Sequence, residues 1–171
     1  MPSAQNVFVF NGDLVDRGDH GCELVLLIFA LKLSTPNCVF VNRGNHEEPH
    51  INIYSGFEEE CIGKYDHRVF QLFHAVFVWL PYACVVNGKT LVLHAGLPED
   101  ASVTLGDIRG IARGPDVCSE EQNLGKERWI RDLLWSDPHP DANFRGIEKS
   151  ARGAGVLWGE DVTKQFLKKN S

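Results

Sequence analysis

Val7-Phe8-Val9-Phe10-Asn11-Gly12-Asp13-Leu14-Val15-Asp16-Arg17-Gly18 sets the architecture of this chain, because a short apolar run ends abruptly in glycines, aspartates and an arginine. An apolar run stopped by Asn-Gly predicts a buried strand, Val7 to Phe10, with a polar loop at its end. Cys22 to Leu33 is strongly apolar and free of Gly and Pro, which predicts a buried helix that Ser34-Thr35-Pro36-Asn37 stops. Cys38 to Val41 is the next strand, and it delivers Arg43-Gly44-Asn45-His46-Glu47 at its end. Strand, helix and strand in this order predict a parallel pair joined by a crossover, an α/β arrangement. In such sheets binding sites form at the carboxyl ends of strands, where both polar runs fall.

Working outward, Ile51 to Tyr65 and Arg68 to Leu80 predict two helices, the second ended by Pro81. Val85 to Leu91 reads as a hairpin around Asn87-Gly88, the preferred two-residue turn, and its second strand, Thr90 to Leu93, delivers His94-Ala95-Gly96-Leu97. Thr104 and Asp107 have capping-box spacing and predict a short helix after Thr104. Residues 113 to 128 are polar and contain Gly114-Pro115 and Gly125, the best loop candidate, while Val162 to Lys169 predicts an amphipathic closing helix. Neither an internal repeat nor a low-complexity segment is present.

The chain has 171 residues, enough for one core, and is expected to be a single domain over 1–171. A net charge of −6 offers no basic surface for nucleic acid, so phosphate or metal chemistry must rest on local charge. The longest apolar run, Leu24 to Leu31, is too short to span a bilayer, and the first residues resemble no secretory leader. Five scattered cysteines, an odd count without a CxxC pair, argue for free thiols and a cytoplasmic or nuclear setting. No nucleic-acid or membrane partner is expected.

The polar runs support one chemistry together. A hard divalent cation takes carboxylate, amide and imidazole ligands, and Asp13, Asn45 and His94 come from three separate strand ends. Arg17 can chelate phosphate oxygens with its planar fork. His46 is placed to protonate a leaving oxygen, with Asp16 to hold the imidazole in one tautomer. His50, His67, His74 and His139 read as helix-surface or packing residues, His20 borders the first polar run, and the four tryptophans read as core.

These runs resemble the motifs of the phosphoprotein phosphatases, the metal-dependent serine/threonine protein phosphatases. Leu133 to Pro138 and Arg152-Gly153-Ala154-Gly155 are similar to further segments of that family. Phe10-Asn11-Gly12-Asp13 and Val103 to Arg109 are most similar to the branch holding protein phosphatase 5 and the EF-hand phosphatases. The resemblance implies a calcineurin-like metallophosphoesterase β-sandwich flanked by helices. It implies hydrolysis of phosphoserine and phosphothreonine in a phosphoprotein substrate by a metal-bridged hydroxide. It further implies two divalent ions (Mn, Fe or Zn), with Asp13 bridging them, Asn45 and His94 on the second, His46 as general acid partnered by Asp16, Arg17 and Arg152 gripping phosphate, and Arg43 assisting. Cysteine nucleophiles are not needed.

Two departures from the family pattern stand out. The family's Gly-Asp-x-His-Gly run is absent, and so is its later Arg-Ser-His type segment. By that count Asp13, Asn45 and His94 remain for the second ion and Asp13 alone for the first, so the chain is expected to be an incomplete domain cut at both ends, holding at most one ion weakly. The alternatives to a working phosphatase are an incompetent fragment or pseudophosphatase acting only in binding, and a nucleotide-directed metallophosphoesterase.

Overall fold

β1 (Phe8–Asn11) and β2 (Val39–Asn42) lie side by side in parallel, with Phe8 opposite Val39 and Asn11 opposite Asn42. The helix between them, α1 (Gly21–Ser34), makes the pair the strand–helix–strand unit that the apolar pattern predicts. The computed structural model describes residues 1–115 and 125–170. The chain folds as two compact units, Met1–Cys84 and Val85–Ser171.

In the first unit α1 packs only one side. Cys22, Val25 and Ile28 are buried, while Leu24, Leu27 and Leu33 are exposed, so this helix is apolar all round but is not the buried helix expected. The stretch read as one helix over Ile51 to Tyr65 is two, α2 (Pro49–Ser55) and α3 (Phe57–Lys64), divided at Gly56. Gly56 has φ 112°, which a residue with a Cβ resists, and α3 starts afresh one residue later. α4 (His67–Phe77) begins where Asp66 accepts from Val69 N at 2.9 Å. It ends before Pro81, because Trp79 N and Leu80 N turn back to the carbonyls of Val76 and Phe77. Phe57 sits at the centre of the core, its ring 5.3 Å from Phe73 and 6.1 Å from Phe70 and Phe77. Trp79, read as core, is 58% exposed. Cys22, Cys38, Cys61 and Cys84 are free thiols; Cys118 lies outside the described residues.

The hairpin of β3 (Ala83–Val86) and β4 (Thr90–Leu93) turns at Asn87 and Gly88, whose φ values of 53° and 67° are those of a type I′ turn. In the second unit the predicted capping box opens α5 (Leu105–Arg109), with Thr104 Oγ1 accepting from Asp107 N and Asp107 Oδ2 accepting from Thr104 N. The expected loop of residues 113–128 lies outside the described residues from 116 to 124, and its end is already helical, since α6 runs Glu127–Trp135. Trp135-Ser136-Asp137-Pro138 passes directly from α6 into a strand, β5 (Asp137–Pro138). With β6 (Ile147–Lys149) and β7 (Val156–Trp158) it forms a sheet in which β7 is central, parallel to β5 and antiparallel to β6. α7 (Glu160–Asn170) closes the described chain, as its amphipathic pattern predicts.

Candidate active site

The loop after β1 is strained. Asp13, Asp16 and Arg17 have φ of 53°, 72° and 56°, and none is glycine. Each left-handed residue of this kind costs about 1 kcal/mol or more, so the surroundings must hold the loop in place. The brace is Glu47, at the end of the second polar run. Its Oε2 accepts from Asp13 N at 2.9 Å and from Gly44 N at 2.6 Å, and its Oε1 accepts from Leu14 N at 2.8 Å. One fully buried carboxylate therefore ties the loop after β1 to the loop after β2. Burial pushes the Glu47 carboxyl above its usual range, against the three backbone donors, which act to lower it. The loops meet so closely that a Cβ on Gly44 would lie 2.5 Å from Asp13 N and 2.6 Å from Asp13 Oδ1. Only glycine fits there.

Within this frame Asp16 and Arg17 reach His46 from opposite sides. His46 Nδ1 lies 2.6 Å from Asp16 Oδ2, and the Arg17 guanidinium is hydrogen-bonded to His46 Nε2 through Nη2. Because guanidinium can only donate, Nε2 accepts and the ring proton sits on Nδ1, facing the carboxylate. Asp16, whose side chain is fully buried, also accepts from Asn52 Nδ2 at 2.7 Å and from Phe57 N at 2.8 Å. Phe57 N is available because the helix restarts after Gly56, so the break that divides α2 from α3 supplies a donor to the site. Arg17 N is bound in turn by Ser55 O at 3.3 Å.

Asn45 and Asp13 flank the same frame. Asp13 Oδ1 accepts from His46 N at 3.2 Å. Asn45 is buried, and its Oδ1 has no hydrogen-bond partner among the described residues. A buried amide oxygen without a donor, close in sequence to a carboxylate-facing glycine, fits the ligand chemistry of a hard divalent cation. Among the described residues no group of three or more His, Cys, Asp or Glu side chains gathers as a metal cluster, so this fit rests on the Asn45 amide and the Asp13 carboxylate. Arg43 is mostly buried and committed to its own neighbours: Nη2 donates to Glu47 O at 3.2 Å and lies 3.7 Å from Glu48 Oε1. His74 of α4 is buried between Phe70 and Phe77, with neither ring nitrogen partnered among the described residues. Burial pulls it down to about 4, the nearby Arg43 charge acting in the same direction.

The remaining predicted residues belong to the second unit. His94 follows β4, where Ala95 N donates to Leu133 O at 3.2 Å and a Cβ on Gly96 would lie 2.1 Å from the Trp158 ring. Arg152 stands on the turn between β6 and β7, 55% exposed, with Nη2 3.2 Å from Asp137 Oδ2. His20, beside the first polar run, is exposed and lies 3.9 Å from Glu23. The sequence reading assigned no role to Asn52 or to the Glu47 carboxylate. The signal for Asn52 was weak, a single amide in a short segment between Ile51 and Ile53, whereas Glu47 stood inside a run already singled out.

Residues 2–171 match the calcineurin-like phosphoesterase family. The chain belongs to that family. Its members use divalent metals, and its fold, mixed helices and strands, is the one expected from the motifs. Serine/threonine-protein phosphatase 5 of Homo sapiens is 44% identical over 171 residues, which is 100% of this chain and 32% of that protein. Serine/threonine-protein phosphatase T of Aspergillus oryzae is 41% identical over 169 residues, 99% of this chain and 34% of the relative. A solved protein serine/threonine phosphatase from Saccharomyces cerevisiae, with similarity to human phosphatase PP5, superposes with a TM-score of 0.85 at 40% identity. It matches 99% of this chain and 50% of its own. The calcineurin-like phosphoesterase chain described here thus spans about a third of the length of the curated relatives it matches.

Proposed function

We propose that this chain carries the phosphate-handling part of a metal-dependent serine/threonine protein phosphatase, acting on phosphoserine and phosphothreonine in proteins. The observation that carries the proposal is the line Asp16–His46–Arg17, a carboxylate, an imidazole and a guanidinium in series on a braced loop pair. Its relatives, named as serine/threonine protein phosphatases, support a protein substrate over a nucleotide.

The residues divide the work as follows. A phosphate dianion competes for the Arg17 guanidinium far better than a neutral ring nitrogen does, so substrate draws Arg17 off His46 Nε2. Nε2 then takes a proton and holds it toward the seryl or threonyl oxygen that must leave. Asp16 keeps the ring oriented through Nδ1 and stabilises its charged form, as a buried carboxylate does behind a catalytic imidazole. Arg43, mostly buried beside this loop pair, adds positive potential, and Arg152 is proposed as a second phosphate contact. Asp13, Asn45 and His94 would hold divalent metal, two ions drawn from Mn, Fe or Zn in the intact site. When bound, the metal supplies Lewis-acid charge at phosphorus and a nucleophile from water at neutral pH. The free thiols favour a cytoplasmic or nuclear setting.

Hydrolysis of a phosphoserine peptide in manganese-supplemented buffer tests the proposal. His46→Asn is expected to lower kcat by about 10²- to 10⁴-fold, the usual worth of a general acid. Activity that survives His46→Asn unchanged would remove the assignment.

A further inference from the structure

Asn52 is a buried polar residue beside His46 to which the proposed chemistry gives no role. It is completely buried on α2, and its Nδ2 carries two hydrogen bonds, to Asp16 Oδ2 at 2.7 Å and to the His46 backbone carbonyl at 2.8 Å. An amide nitrogen has two protons, so both are used. The same Asp16 oxygen accepts from His46 Nδ1. Asn52 therefore closes a ring: Asp16 carboxylate to His46 imidazole, His46 backbone to Asn52, Asn52 to the Asp16 carboxylate. The ring spans the strained loop after β1, the loop after β2, and α2.

We infer that Asn52 is a positioning residue, which sets the angle between the Asp16 carboxylate and the His46 ring by holding both ends of that pair. Phe57 N fixes the other oxygen, Oδ1, at 2.8 Å, which leaves the carboxylate free to pivot about that bond. Asn52 stops the pivot at Oδ2. It also ties down the His46 backbone, so both ends of the pair share one anchor. Without Asn52 a buried carboxylate oxygen and a buried carbonyl each lose a donor, and water or a side-chain rotation must replace it. Displacement of a catalytic group by about 1 Å can cost on the order of 100-fold in rate. The cost falls on proton delivery rather than on phosphate binding, which uses Arg17.

This inference rests on His46 acting as the general acid, and the test separates the two. In the unmodified chain, NMR is expected to show a slowly exchanging Asn52 side-chain amide, with magnetisation transfer to the His46 Nδ1 proton. An Asn52 amide that exchanges freely with solvent would overturn the inference without any variant being made. Asn52→Leu, shown to be folded by its backbone amide spectrum, is expected to lose the slowly exchanging His46 Nδ1 proton; its retention would overturn the inference. In kinetics, Asn52→Leu should lower kcat on a phosphoserine peptide by about 10- to 100-fold with little change in KM, and lower it far less on 4-nitrophenyl phosphate. The nitrophenolate leaves without help from an acid, so a merely structural defect would depress both substrates alike and count against the inference. His46→Asn is measured in parallel. If it shows this leaving-group dependence and Asn52→Leu does not, the positioning role fails alone. If His46→Asn depresses both substrates equally, the general-acid assignment fails, and the NMR result alone decides whether Asn52 orients the ring.

Discussion

The Asp16 side chain in the first unit is fully buried and accepts from three donors on three different segments, whereas Arg152 in the second is more than half exposed and faces a single carboxylate, Asp137. Both were picked out by motif, yet their surroundings differ in kind. The loops after β1 and β2 are held by a buried carboxylate, a ring of hydrogen bonds and a glycine that nothing larger could replace. The turn around Arg152 is held by local bonds, Arg152 N to Ser150 Oγ and Gly153 N to Ser150 O, and by Gly155, where a Cβ would lie 2.5 Å from the carbonyl carbon of Trp135. Its charged side chain is more than half exposed and, among the described residues, pairs only with Asp137. Orientation for proton transfer must be fixed before substrate arrives, while a surface arginine can find a phosphate by charge alone.

The sharpest way to break this comparison is through the core that supports the buried side. Phe57→Ala should destabilise the chain by about 3–5 kcal/mol in urea denaturation, because it empties the centre of the phenylalanine cluster. It should also loosen Asp16, since the Phe57 backbone donates to it. His74→Leu comes next. Folded His74 titrates at about 4, below the ordinary 6.5, so the unfolded chain takes up its proton first as pH falls. The neutral ring therefore contributes stability that is present above pH 6.5 and is lost progressively down to about 4, up to about 3 kcal/mol in all. The difference in unfolding free energy between the wild type and His74→Leu should carry this slope between those pH values, and a flat difference would show that the ring is not held neutral.

A smaller effect concerns the metal ligands. Manganese at about 100 times its Kd should raise the unfolding free energy by about 2.7 kcal/mol, and Asp13→Asn should remove most of that increment without changing the metal-free baseline by as much. Thermal melts with and without manganese check it. At the small end, Arg152→Ala should change stability by no more than about 0.5 kcal/mol, because its ion pair is exposed and screened. A larger loss in the same melts would mean that the exposed turn is as tightly built as the buried one.

The fold was legible where the signal was local. The strand positions of β1 and β2, the Asn87-Gly88 turn, the Thr104–Asp107 capping box and the amphipathic α7 appear where the residues predict, since each is decided within a few positions, although β1 is only partly buried. The break at Gly56 was less so, because a lone glycine inside an apolar periodic stretch can continue a helix as well as end one. The sheet of β5, β6 and β7 was not legible. Its strands have two or three residues each, and β5 meets β7 about 20 positions away in the sequence, Asp137 opposite Leu157.

The sequence by itself determined the chemistry: which side chains follow the strand ends, and that carboxylate, amide, imidazole and guanidinium occur there together. It could do so because the motifs are contiguous and their residue types have few other uses side by side. Tertiary structure alone decided how they are held. Glu47 reaches across 34 positions to Asp13, Asn52 joins Asp16 to His46 from a separate helix, and α3 begins at the residue where Asp16 needs a donor. Such choices depend on which buried polar groups find partners once the chain is packed, and a buried group can be satisfied only by what the whole fold brings within 3 Å or so of it.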